Sequence, residues 1–165
     1  MKLINCAVYL FTVGMAVLAV GKVIPRRWFD GNKFPFSSFS FEKGGLLYRK
    51  LGIHRWKCKL PDASLKAKNM VVKRTGINPD AEKLELLIRE SCVAEAAHYA
   101  LVLLSLPVLT LYPGTPGRLI FLLCIVGNLC FAVIQRYNRP RLQRVLQKMR
   151  KTASTQDAFS AVTAG

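Results

Sequence analysis

Three stretches of this chain are apolar on every side, and the stretches between them are not. Residues 3–21 carry no charge from Leu3 to Gly21, and residues 96–112 and 119–135 repeat the pattern. A soluble amphipathic helix sets one apolar stripe against a polar face; here there is no polar face to set. Each block approaches the roughly 20 residues needed to cross a hydrocarbon core of about 30 Å. Pro113, Gly114, Pro116 and Gly117 stand between the second and third blocks, a tight turn that makes those two a helical hairpin. The expected fold is an all-α integral membrane protein, one membrane domain over 1–165, with three transmembrane helices. Lys2 before the first block resembles the start of a signal peptide. Its apolar run exceeds the usual 7–15 or so residues of such a segment, so a retained anchor is expected.

Between the first and second crossings, residues 22–92 interleave aromatic and basic side chains. Trp28, Phe29, Phe34, Phe36, Phe39, Phe41, Tyr48 and Trp56 alternate with Lys and Arg. Aromatic rings favour the headgroup level, and basic side chains snorkel from it toward water. Short elements lying along the inner leaflet, a cytoplasmic interfacial belt, are the expectation. Asn78-Pro79-Asp80 supplies an N-cap, a first-turn proline and an acidic first turn, predicting one helix over about 79–111. After Thr152 the residues are small and polar, and a flexible tail over 152–165 is expected.

The net charge of +16 opens a nucleic-acid reading. Long uncharged apolar blocks argue against it, and anionic phospholipid headgroups attract the same charge. The basic residues are also one-sided. Sixteen Lys and Arg lie in 22–92 and seven after Gln135, leaving Lys2 and Arg118 for the other side. The positive-inside rule then puts the amino terminus and the 113–118 turn outside, and the belt and the carboxyl terminus in the cytoplasm. Five cysteines show no CxxC pair, so neither a metal site nor a disulfide framework is expected.

Glu95 and His98 carry the candidate chemistry. Three residues apart on a helix, they share a face at the start of the second crossing, where ionisable groups point to function. A carboxylate accepting a proton from imidazole would fix the tautomer and leave the other nitrogen as a base. Cys92 lies one turn before Glu95 and makes a Cys–His nucleophile conceivable, although a packing thiol is the commoner fate. Asn128, inside the third crossing, suits a hydrogen bond to a neighbouring helix. Arg136, Arg139 and Arg141 follow that crossing, where guanidinium groups suit either phosphate binding or positive-inside anchoring.

Several short runs recur together in an order that identifies a family. They are Ile24-Pro25, Phe39-Ser40-Phe41-Glu42-Lys43, Arg55-Trp56-Lys57 with Lys59, Ala94-Glu95 with His98, and Gln135 to Leu142. The chain resembles the glycosyl-4,4'-diaponeurosporenoate acyltransferase family of bacterial membrane proteins over about residues 20–150. The resemblance implies a plasma-membrane acyltransferase that esterifies a fatty acid to a primary hydroxyl of a glycosylated carotenoid. The implied partners are membrane lipid substrates and an acyl donor such as acyl-CoA or acyl carrier protein, with no further cofactor. Glu95 and His98 become the expected catalytic pair, and Trp56, Lys57, Arg136, Asn138, Arg139 and Arg141 the expected substrate-binding residues. Another lipid or lipoprotein acceptor, or a non-enzymatic lipid-binding scaffold, is the alternative.

Overall fold

The computed structural model describes residues 1–56 and 81–163. Its elements are α1 (Lys2–Val23), α2 (Leu46–Lys50), α3 (Ile53–Trp56), α4 (Ala81–Leu104), α5 (Val108–Leu111) and α6 (Thr115–Thr163), with 3-10 turns at Arg26–Trp28 and Ser40–Gly45. The expected helix start at Asn78-Pro79, and Lys57, lie outside the described residues. Three segments, Lys2–Val23, Ala81–Leu111 and Thr115–Thr152, are long and apolar enough to cross a membrane. Their outward faces carry Phe11, Leu18, Leu103, Leu122 and Leu123 in the open, which suits a multi-pass membrane protein.

The three long helices run antiparallel to their neighbours. On α1 and α4, the Tyr9 hydroxyl donates to the Leu104 carbonyl at 2.8 Å, Gly21 faces Val93, and Arg26 beyond α1 pairs with Glu90 at 2.6 Å. The chain therefore places 24–56, the start of α4 and the second half of α6 at one end of the bundle. The 113–118 turn closes the other end.

Two differences from the sequence reading have simple causes. The second crossing is broken at Ser105–Pro107 and resumes as α5, because Pro107 has no N–H and its ring obstructs the preceding turn. The helix that carries the third does not end near Gln135. It continues through Pro140 to Thr163, where a flexible tail was expected after residue 152. Packing explains the first part of that extension: Leu84, Ile88 and Leu146 form a core cluster with Ala81, Leu142 and Met149.

That cluster belongs to a long seam. On α4, Leu84, Ile88, Ser91, Glu95 and His98 alternate steps of four and three; on α6, so do Asn128, Ala132, Gln135, Arg139, Leu142 and Leu146. This is the spacing that keeps one stripe of a helix against an antiparallel neighbour. The seam is apolar at its outer end and polar toward the membrane. The polar half is the candidate site.

The described part of the belt packs onto α4 and α6. Tyr48 and Ile53 join Ile134 and Tyr137 in a second core cluster. Lys43, Gly44 and Gly45 all have positive φ, 47°, 61° and 95°, so the chain reverses directly after Glu42. Glycine takes that conformation without the Cβ penalty, which is why the reversal falls on a Gly-Gly pair. Gly31 is buried against the seam, where an added Cβ would stand 2.8 Å from Ile88 Cγ2 and 3.0 Å from Arg139 Cδ.

Candidate active site

Four charged side chains from three segments meet where the belt crosses the seam. Arg136 Nε donates to Glu42 Oε1 at 2.6 Å and Nη2 to Glu42 Oε2 at 3.2 Å. Arg136 Nη1 donates to Glu95 Oε1 at 2.7 Å, and Arg139 Nη2 donates to the other oxygen of Glu95. Glu42, Glu95 and Arg139 are only 2%, 1% and 2% exposed. Two carboxylates and two guanidinium groups cancel, so the chain of ion pairs is neutral as a unit. Neutrality and full hydrogen bonding are what let charges persist out of water.

The remaining donors are also engaged. Arg136 Nη1 and Nη2 reach the Pro35 and Ser37 carbonyls at 3.1 and 3.0 Å. Arg139 Nε reaches Ser91 Oγ at 3.0 Å, and its Nη groups reach the Phe36 and Ser91 carbonyls. The guanidinium of Arg136 lies 4.4 Å from the Phe39 ring centroid, and that of Arg139 lies 5.6 Å from Phe36, adding cation–π contacts. The 35–42 strap is thus tied to α6 through its own carbonyls, rings and carboxylate.

Glu42 is the strap's anchor. Its Oε2 accepts from the Phe39 N–H at 2.9 Å and from Ser38 Oγ at 3.1 Å, and its Oε1 accepts from the Tyr48 hydroxyl. Burial pushes this carboxyl up, but the donors from Arg136, Tyr48 and Phe39 outweigh it and hold it below the usual value. Burial, and then the Glu42 carboxylate, push the Tyr48 phenol up, so it stays a donor.

The expected pairing of Glu95 with His98 is replaced by another contact. Glu95 does not orient His98: both of its oxygens accept from guanidinium groups. Two permanent cations on the facing helix make charge-assisted hydrogen bonds that a neutral imidazole cannot match. Arg136 and Arg139, expected to bind phosphate, are engaged within the protein by the same contacts. All five N–H groups of Arg136 are taken by protein acceptors, and Arg139 is buried, so neither presents a free fork to a ligand.

His98 has a different partner. Its Nδ1 lies 3.0 Å from Asn128 Oδ1, and its ring stacks on Phe131 with centroids 5.2 Å apart and planes 11° from parallel. Asn128 Nδ2 donates to the Cys124 carbonyl at 2.8 Å, so the amide oxygen is the group that faces the imidazole. An oxygen can only accept, which assigns the proton to Nδ1 and leaves the Nε2 lone pair available. Among the described residues Nε2 has no partner. Asn128 and Phe131, one turn apart on α6, together fix the ring's tautomer and plane.

The other expected residues scatter. Arg141 is exposed over the Tyr137 ring at 5.0 Å, and Asn138 is half-buried and engaged. Trp56 ends α3, and Lys57 lies outside the described residues. Cys92 is fully buried and free, a packing thiol. In the sequence Glu42 shows only as part of a motif, and nothing there assigns a role to Ser91 or Tyr48. Only Ser91 had a signal, the alternation of steps of four and three that runs through Ser91, Glu95 and His98. That spacing marks Ser91 as facing a partner helix. Among the described residues no three His, Cys, Asp or Glu side chains gather as a metal site would require.

Comparison with known proteins adds an independent observation. The sequence profile described as glycosyl-4,4'-diaponeurosporenoate acyltransferase matches residues 25–148. Proteins of that name from Staphylococcus aureus strains bovine RF122 / ET3-1 and N315 are each 28% identical over 157 residues, covering 92% of both chains. The one from strain MRSA252 is 26% identical over 153 residues with the same coverage. No solved structure matches. The matched span contains every residue of the ion-pair chain and both partners of the His98 ring.

Proposed function

The chain belongs to the glycosyl-4,4'-diaponeurosporenoate acyltransferase family, and from that premise we propose that it acylates a sugar hydroxyl of a glycosylated carotenoid with His98 as general base. It is a membrane acyltransferase; the acceptor, the base and the side of the membrane are our reading. The single observation that carries it is the Asn128 amide, whose fixed oxygen makes Nδ1 the proton-bearing nitrogen and Nε2 the basic one.

In this reading the acceptor's primary hydroxyl approaches Nε2, which takes its proton as the oxygen attacks the acyl carbonyl. Asn128 and Phe131 position the imidazole and touch no substrate. Glu95 has a different part: it neutralises Arg136 and Arg139 and so holds the 35–42 strap beside the base. The carotenoid and the fatty acyl chain lie against the apolar faces of the crossings, which brings both lipids to the site by diffusion within the bilayer. The asymmetry of basic residues supports a site at the cytoplasmic leaflet, with the amino terminus outside and the carboxyl terminus inside.

The test is mass spectrometry of lipid extracts from cells that make the glycosylated carotenoid, with and without this chain. The expected result is a glycosyl carotenoid heavier by one esterified acyl group only when the chain is present. An acylated product of another lipid class, with the glycosyl carotenoid unchanged, would overturn the acceptor.

A further inference from the structure

A cleft of about 340 Å³ opens at the belt end of the bundle, between the turn after α1 and the outer part of the seam. Arg27, Lys33, Arg89 and Arg150 line it, against Asp30 and Glu85. Arg150 pairs with Glu85, and Lys33 with Asp30 at 3.9 Å. Arg27 and Arg89 have no acidic partner among the described residues, so the lining carries two uncompensated positive charges. Planar guanidinium forks match phosphate oxygens, and a concave wall focuses their field. The cleft is separate from the imidazole. Nine residues of α-helix are about two and a half turns, so Arg89 and His98 stand on opposite sides of α4.

The height of the cleft in the bundle selects the phosphate compound that reaches it. α1 carries no charge from Leu3 to Gly21 and ends at Val23, and Arg27 lies on the turn that follows directly. That turn is docked on α4 next to Arg89: Arg26 Nη1 donates to the Ile24 carbonyl at 2.7 Å, and its Nε pairs with Glu90 at 2.6 Å. Trp28, which also lines the cleft, stands exposed, and tryptophan favours the headgroup level. Leu18, Val20 and Val23, on the last turns of α1, are exposed as well, a bare apolar surface that acyl chains would cover. A cationic cleft at the foot of such a surface suits a molecule that is anionic at one end and apolar for the rest.

We propose that this cleft holds the phosphate of an anionic phospholipid from the leaflet on the belt side. Arg27 and Arg89 are its ligands, and the acyl chains run along the exposed face of α1. The lipid is a ligand held at one place, in contrast to the diffuse attraction that any basic surface exerts on an anionic membrane.

Native mass spectrometry of the full-length protein, released from nanodiscs of equal phosphatidylglycerol and phosphatidylcholine, counts the lipids that stay bound. Each basic side chain near a membrane surface favours an anionic headgroup about fivefold, so wild type should retain phosphatidylglycerol over phosphatidylcholine about twentyfold. The Arg27→Gln, Arg89→Gln double variant should lower that preference about fivefold or more. The Arg49→Gln, Lys50→Gln variant makes the same charge change at exposed positions of α2 outside the cleft; it should stay within about twofold of wild type. In wild type, a photoreactive phosphatidylglycerol should label the end of α1 or the 24–33 segment. Equal losses in the two double variants would overturn the proposal, as would labelling confined to other segments. Glycerol phosphate titrated without lipid separates the remaining source. If it binds through Arg27 and Arg89 while the nanodisc experiment shows no lipid preference, the cleft takes a soluble phosphate compound and the lipid assignment falls.

Discussion

Replacing Glu95 with Gln removes one charge and almost no volume, so its effect isolates the carboxylate. In the wild type that carboxylate accepts from Arg136 at 2.7 Å and from Arg139. Arg136 keeps Glu42 in the variant. Arg139, 2% exposed, keeps only Ser91 and the Phe36 carbonyl and becomes a buried cation without a counter-ion. Breaking a buried pair from one side costs about 3–5 kcal/mol. A chain of this length loses roughly 2–4 °C of Tm per kcal/mol, so the expected fall is roughly 6–20 °C. Glu90→Gln is the internal control, because its pair with Arg26 is half-exposed and worth about 1 kcal/mol at most. Thermal unfolding of both variants in one detergent, followed by circular dichroism, makes the comparison. The folded fraction of Glu95→Gln should turn over within about threefold of wild type, since the carboxylate does not touch the base. A Tm within 2 °C or so of the Glu90→Gln value, together with a kcat loss of about a hundredfold or more, would refute this reasoning. It would restore Glu95 as the partner of His98.

Three further outcomes follow from the same geometry. Asn128→Leu frees the imidazole tautomer and should lower kcat about tenfold to a hundredfold, within the range of general-base effects, with KM little changed; steady-state kinetics on reconstituted protein checks it. The Glu42 carboxyl is held below its ordinary value, so its stabilisation is complete above the unfolded carboxyl range and is lost as pH falls through the lower folded value. Tm measured from pH 7 downward should therefore drop more steeply in wild type than in Glu42→Gln, which starts lower; parallel curves would contradict the assignment. Gly31→Ala drives a methyl group to 2.8 Å from Ile88 Cγ2, and overpacking of this kind costs about 1–3 kcal/mol, readable as reduced Tm and faster proteolysis of the 24–45 strap.

The membrane fold was legible because lipid imposes its rule on composition, and three uncharged blocks need no tertiary information to be seen. Pro107 is inconspicuous inside the second block, where its neighbours are apolar or small and hydropathy is insensitive to a missing N–H. The extension of α6 past Gln135 was hidden for the opposite reason. Its residues are polar, and only Leu142, Leu146 and Met149 at seam spacing, packed on Leu84 and Ile88, show why it stays helical. The site was half legible. His98 and Glu95 stood out as ionisable groups beside a crossing, and the rule that intrahelical neighbours pair suggested a dyad. Longer-range partners won instead: Arg136 and Arg139 are 41 and 44 residues from Glu95, and Asn128 is 30 from His98. Such pairings depend on the register of α4 against α6, which local spacing does not fix. Glu42, 94 residues from Arg136, was visible only as a letter in a motif.

The central claim is that Nε2 of His98 removes the acceptor's proton. Single-turnover acyl transfer by wild type and His98→Ala, in nanodiscs with matched Tm, measures it most directly. The account predicts a fall of about a hundredfold or more, the scale of a lost general base, with donor and acceptor binding retained. A His98→Ala rate within about fivefold of wild type, too small a change for that role, would contradict it.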